Sequence, residues 1–326
     1  MESLIFSVNA VLPIVLIVAL GYAIKRLGII SETVAAGLNK LVFRVLLPCT
    51  LFLNIYKIKD LGSIDMGYIW YAIGITVVMF LLAFPVVMAV IKENGQRGVV
   101  IQAVFRSNFA LVGIPLAESL FGEEGSIVAT LLSAFIIPMF NVLAVVCLSI
   151  FGSSGKISAK KILLGIAKNP LIQSILLGVV ILGVRALFVR FGIGFRLTDL
   201  TPLYSVVEQL SKTATPIALL ALGAQFEFSA VAHLKKTILF GVTLRGIVMP
   251  AIALTVAYFM NCFSGAHFAA FVALFCTPVA VSSVPRVQEM GADVQTAGQL
   301  VVWTTILSGF TIFFVSFLLK ALGVFG

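Results

Sequence analysis

The sequence predicts an all-α polytopic membrane protein: ten transmembrane helices in two inverted five-helix repeats, with interrupted helices four and nine crossing near the midplane. Three observations predict it. Hydrophobic residues make up 61% of the chain and charged residues 11%, where a soluble domain carries ~25% charged residues; the mean hydropathy is +1.17. Ten mostly apolar segments reach the ~20 residues that a helix needs to span the hydrocarbon core. Segments four and nine, the fourth in each half, carry prolines and polar side chains at membrane depth, which is tolerated only inside protein or along a wet cavity.

The segments run near 5–24, 37–56, 67–91, 99–120, 125–151, 167–188, 203–226, 237–261, 266–290 and 295–323. The first ends at Lys25-Arg26, a basic stop. The second contains Arg44 and Leu47-Pro48, where the proline suits either a packing kink or a cavity wall. The third carries Pro85 and leaves through Lys92 to Arg97. The fourth holds Arg106-Ser107-Asn108 and then Gly113-Ile114-Pro115. A break is expected at this Gly-x-Pro, because proline removes an N–H and glycine permits unusual backbone angles. The acidic loop Glu123-Glu124 leads to the fifth, with Pro138 and Asn141; that amide suits an interhelical bond as well as a substrate contact.

Gly152-Ser153-Ser154-Gly155, followed by Lys156, Lys160 and Lys161, divides the chain near its middle. The repeats are therefore expected at 1–152 and 167–326, joined by a cytoplasmic linker at 153–166. An odd number of spans per half inserts the second half upside down, the inverted-repeat arrangement of secondary transporters. The sixth segment opens with Asn169-Pro170, and the seventh carries Lys212 and Pro216. The eighth carries Arg245 and Pro250; its arginine should face a cavity, pair with a carboxylate, or snorkel to the surface. The ninth breaks between Pro278 and Pro285 and leaves through Arg286, Gln288 and Glu289.

The net charge of +9 forms no continuous basic face with interleaved aromatics, which argues against nucleic acid. Lys and Arg instead concentrate in the loops after segments one, three, five and seven, which the positive-inside rule makes cytoplasmic. Both termini then lie outside the cytoplasm, with Arg190 and Arg196 on that outer side, and the protein sits in the cell membrane. Met1-Glu2-Ser3 lacks the basic start of a cleavable signal peptide. Cys49, Cys147, Cys262 and Cys276 show no metal-ligand or disulfide spacing and suit small packed hydrophobes. No enzyme signature surrounds His233 or His267, and no cofactor is expected.

Segments four and nine match closely. Each has a small residue two before a proline (Gly113–Pro115, Ser283–Pro285) and then Glu118 or Gln288 three residues on. Half-helix ends at the midplane present unpaired N–H groups and the positive end of the dipole, which suit an anion. Ser107, Asn108, Ser282 and Ser283 add donors, and Arg106 or Arg286 a counter-charge. Opened carbonyls with Glu118 or Glu289 would instead hold Na⁺ or a proton. The candidate substrate-binding residues are thus Ser107, Asn108, Gly113, Pro115, Pro278, Ser282, Ser283, Pro285 and Asn141. The candidate ion-coupling residues are Glu118, Lys212, Arg245, Arg286, Gln288 and Glu289.

Several of these motifs together resemble the auxin efflux carrier family, which includes the plant auxin carriers and bacterial malate and malonate permeases. The likeness rests on Gly21-Tyr22, Gly37-Leu38-Asn39-Lys40 and Leu47-Pro48, on Asn108 with Val112-Gly113-Ile114-Pro115-Leu116, and on Asn169-Pro170. Arg245 with Pro250, and Pro278 with Glu289, complete it. The resemblance implies an architecture like that of bile-acid sodium symporters, a scaffold part and a transport part, and substrate held where segments four and nine cross. It implies organic anions as substrates, an elevator or rocking motion, and a homodimer. Asn108, Pro115 and Pro278 would be crossover residues. Pro285 stands two residues later than in the plant pattern, Lys212 replaces an acid, and the long cytoplasmic loop of many plant members is missing. The expected function is alternating-access transport of small carboxylates; Na⁺- or H⁺-coupled symport of another solute, or a receptor that binds without transport, are the alternatives.

Overall fold

A computed structural model describes residues 2–58, 65–151, 164, 167–225 and 235–325, with the side chain of Glu289 outside that description. The expected linker at 153–166, but for Leu164, and His233 lie outside the described residues. Among the described residues thirteen α-helices follow one another: α1 Glu2–Arg26, α2 Glu32–Leu41, α3 Leu47–Tyr56, α4 Gly67–Val90, α5 Asn94–Phe105, α6 Ile114–Phe151, α7 Pro170–Arg190, α8 Thr201–Ala224, α9 Lys235–Thr243, α10 Met249–Met260, α11 Gly265–Phe275, α12 Ser283–Glu289 and α13 Val294–Ala321. Among the described residues, the one β-bridge joins Ser107 to Val279.

Among the described residues seven helical stretches are long and apolar enough to cross a bilayer: Glu2–Arg26, Glu32–Tyr56, Gly67–Val90, Phe109–Phe151, Pro170–Arg190, Lys235–Met260 and Val294–Ala321. The difference from the ten expected segments has a physical origin at each place. Phe109–Phe151 is 43 residues long, about twice what a crossing needs, and it folds back inside: Phe121 and Gly122 leave helical geometry, Gly122 at φ 58°. Only glycine adopts that conformation without strain. Segments four and nine are each split into two half-helices, α5 with 109–120 and α11 with α12. Segment seven, α8, is less apolar, with Glu208, Gln209, Ser211 and Lys212 along its length.

Three five-residue π-turns, Val42–Leu46, Phe109–Gly113 and Leu244–Val248, each end two residues before a proline (Pro48, Pro115, Pro250). A proline has no N–H to close the turn before it and its ring crowds a carbonyl there; widening that turn is one way to make room. Proline alone does not force the change, since Pro13, Pro85, Pro138 and Pro216 sit inside ordinary α-helix.

The chain divides into two compact units. One comprises Met1–Val15, Asp65–Ile162 and Phe226–Gly326, the other Leu16–Ile64 and Leu163–Gln225. Each half of the sequence contributes to both, so the units cut across the boundary expected for the repeats. In the smaller unit α1 and α8 touch through glycine: a Cβ on Gly223 would lie 1.9 Å from the Val18 carbonyl oxygen, and one on Gly21 2.2 Å from that of Leu220. Arg185 on α7 there donates to the Tyr56 carbonyl at 2.7 Å and to that of Ile58, closing the end of α3. In the larger unit the two arms of α6 press together at Gly125, where a Cβ would stand 2.3 Å from the Ala117 carbonyl oxygen.

Gly125→Val should therefore lower stability by roughly 1–3 kcal/mol, as overpacking does. Gly183, whose Cβ would meet nothing within 4 Å, should accept valine with a change within about 0.5 kcal/mol. Thermal unfolding of the two purified variants checks both.

Candidate functional site

The site begins where α5 stops. Arg106 leaves the helix at φ −87°, ψ 99°, and 106–108 are non-helical, with Asn108 at φ −78°, ψ 51° as the next helical stretch begins. Residues 278–280 do the same after α11, and the two stretches pair antiparallel around Ser107 and Val279. The Asn108 N–H donates to the Pro278 carbonyl at 2.8 Å, and the Ala280 N–H donates to the Arg106 carbonyl at 3.2 Å. The outward Val279 N–H donates to Thr304 Oγ1 on α13 at 3.1 Å. Backbone groups freed by breaking two helices in a membrane are thus spent on each other.

The expected Gly-x-Pro break is corrected here. The chain opens at 106–108, upstream of Gly113 and Pro115, and by Pro115 it is helical again. The helical stretch begins at Phe109, and Pro115 lies inside it, where the widened π-turn Phe109–Gly113 makes room for the ring and the missing N–H. Gly113 serves a close approach: a Cβ there would lie 2.9 Å from the Ala273 carbonyl oxygen on α11. Both Gly113 and Pro115 are buried.

Arg245 is 1% exposed and neither snorkels nor meets a carboxylate among the described residues. Its Nε and Nη2 donate to the Thr277 carbonyl at 3.0 and 2.7 Å, Nη2 to that of Leu274 at 2.9 Å, and Nη1 to that of Val104 at 3.2 Å. Those oxygens belong to the C-terminal ends of α5 and α11, which carry orphan carbonyls and the negative end of the dipole. A planar fork of donors with a fixed charge matches them.

What remains unpaired is of the opposite kind. Gln102 Nε2, Arg106 Nη1, Ser107 Oγ, Asn108 Nδ2 and Ser283 Oγ are buried side-chain atoms without a hydrogen-bond partner. These residues are 1, 6, 4, 4 and 2% exposed, and leaving such a group unpaired costs about 1–3 kcal/mol. The five share one bonded patch. Arg106 N–H bonds the Gln102 carbonyl, Ser283 N–H bonds the Ala280 carbonyl, and Arg106 Nη2 reaches Ser282 Oγ at 3.2 Å. Arg286, half-buried on α12, lies near enough for its charge to act on that of Arg106. Three of the five atoms are pure N–H donors, so the patch is positive and wants acceptors.

The structure thus gathers Ser107, Asn108, Gly113, Pro115, Pro278, Ser282, Ser283 and Arg286 around the bridge. Glu118, Pro285 and Gln288 are exposed. Asn141 is half-buried on the far arm of α6. Lys212 lies in the other unit, exposed and paired with Glu208 at 3.1 Å. The side chain of Glu289 lies outside the described residues. Sequence reasoning missed Gln102, Thr277 and Thr304. Gln102 had a signal, an amide inside the apolar run 99–105; the two threonines had none, because a hydroxyl in a membrane helix ordinarily bonds its own preceding turn.

Comparison with known proteins places residues 6–316 within the family described as membrane transport protein. An uncharacterized transporter of Methanothermobacter thermautotrophicus is 25% identical over 303 residues, covering 93% of this chain and 95% of its own. An uncharacterized transporter of Methanocaldococcus jannaschii is 28% identical over 267 residues, covering 78% of this chain and 80% of its own.

Thr304→Val should leave the Val279 N–H without a partner and lower stability by ~1–3 kcal/mol. Thr305, which bonds only its own helix at Val301, should accept valine with little change. The difference between the two thermal midpoints checks the bridge.

Proposed function

Because this chain belongs to the membrane transport protein family, that of the auxin efflux carriers, we propose that it is a secondary carrier moving small organic anions by alternating access, with the anion held at the paired breaks. The observation that carries this reading is the chemistry left over at the bridge: unpaired Arg106 Nη1, Gln102 Nε2 and Asn108 Nδ2, with two serine hydroxyls. A carboxylate offers the acceptors that such donors lack, and bonds to a charged group contribute about 1.5–3 kcal/mol each. The opened carbonyls that a Na⁺ site would use are instead occupied by Arg245 and by the bridge amides, which favours the anion over the cation reading.

The wider architecture belongs to the same reading. The two interleaved compact units correspond to a transport part that holds the bridge and a scaffold part. Segments four and nine are the crossing elements of two inverted five-helix repeats, and the carrier works as a homodimer in the cell membrane with both termini outside the cytoplasm. Glu118 and Gln288 are exposed, and Lys212 is paired with Glu208.

Asn108→Ala and Arg106→Gln should each reduce uptake of a transported carboxylate into proteoliposomes by roughly 10- to 100-fold, the kinetic equivalent of one lost charge-assisted bond. The protein should remain folded in the membrane. Uptake unchanged in both would sink the site, and saturable carboxylate binding without flux would favour a receptor.

A further inference from the structure

Three carbonyl oxygens from two broken helices, those of Val104, Leu274 and Thr277, converge on one point in the larger unit. Oxygens gathered at helix C-terminal ends in a water-poor interior are what a small cation binds. In this chain the point is taken by the Arg245 guanidinium, through four bonds of 2.7–3.2 Å. Arg245 is buried and has no carboxylate among the described residues, and a buried charge persists only where its surroundings replace water. The π-turn Leu244–Val248 holds the arginine here, and α13 reinforces it, with Thr311 Oγ1 donating to the Gly246 carbonyl at 2.8 Å.

We propose that Arg245 is a covalently attached counter-cation filling a latent monovalent-cation site at the two breaks, so that the bridge is held together without Na⁺ or K⁺. The site's oxygens would accept a free cation only once the guanidinium is gone. The side chain is therefore a positioning residue for the bridge. It keeps α5 and α11 ending at the same place and leaves the neighbouring donors, Arg106 and Asn108 among them, as the groups open to an anion. The inference stands apart from the anion reading, because it concerns the empty protein.

The test is the thermal midpoint of purified protein at constant ionic strength, with no carboxylate present, in choline, Na⁺, K⁺ or millimolar guanidinium chloride. The unsubstituted chain should unfold at one midpoint in all four. Arg245→Ala should unfold several degrees lower in choline and recover part of the loss in guanidinium or Na⁺, by mass action on the opened site. Arg245→Lys, which keeps the charge but not the fork, should lose less and stay indifferent to the cation. A midpoint of the unsubstituted chain that rises with Na⁺ or K⁺ would overturn the proposal, as would an alanine variant equally unstable in every salt. If the alanine variant gives no folded protein, the lysine variant decides: one as damaged as alanine overturns the charge assignment.

Discussion

The antiparallel pairing of 106–108 with 278–280 is the contact on which the rest of the larger unit depends. A helix broken in hydrocarbon exposes N–H and C=O groups that no lipid can satisfy. Breaking two helices at one level and turning each toward the other removes the problem for both: Asn108 bonds Pro278, and Ala280 bonds Arg106. The surrounding helices are placed to serve that pairing. Thr304 on α13 takes the remaining Val279 amide, Gly113 lets the chain approach the α11 backbone, and the fold-back at Gly122 returns α6 beside its own first arm.

Arg245 sorts the polar groups left by this arrangement. The guanidinium engages acceptors, the carbonyls at the ends of α5 and α11. The unpaired buried remainder is dominated by donors: the amide of Gln102, the amide of Asn108 and one nitrogen of Arg106. A site can be selective for charge sign simply through which half of its hydrogen-bonding capacity is already used. Unpaired buried donors also raise the free energy of the empty state, so a ligand that satisfies them stabilises the unit through bonds the protein cannot make alone. That links the geometry of the bridge to the energetics of loading a carrier.

The likeness between segments four and nine placed the opening in segment four too late in the chain. Gly113 and Pro115 look like a break, and they lie at a π-turn and in the helix that continues it; the non-helical residues are Arg106, Ser107 and Asn108, none of them glycine or proline. The matched residues Glu118 and Gln288 are both exposed. Gln102 was legible as an amide in an apolar run. Thr304 was not, because its value lies in facing an amide twenty-five residues earlier in the chain.

Composition and segment length determined that this is a helical membrane protein, because only a chain this apolar can fill hydrocarbon. Tertiary structure decided the rest. Whether a buried arginine snorkels, meets a carboxylate or caps helix ends depends on what lies across from it, and for Arg245 the answer comes from Val104, Leu274 and Thr277, 141, 29 and 32 residues away. Hydropathy is a property of each residue and is written locally. Hydrogen-bond partnership is a property of pairs, and here the pairs are set by two helices that stop where they meet.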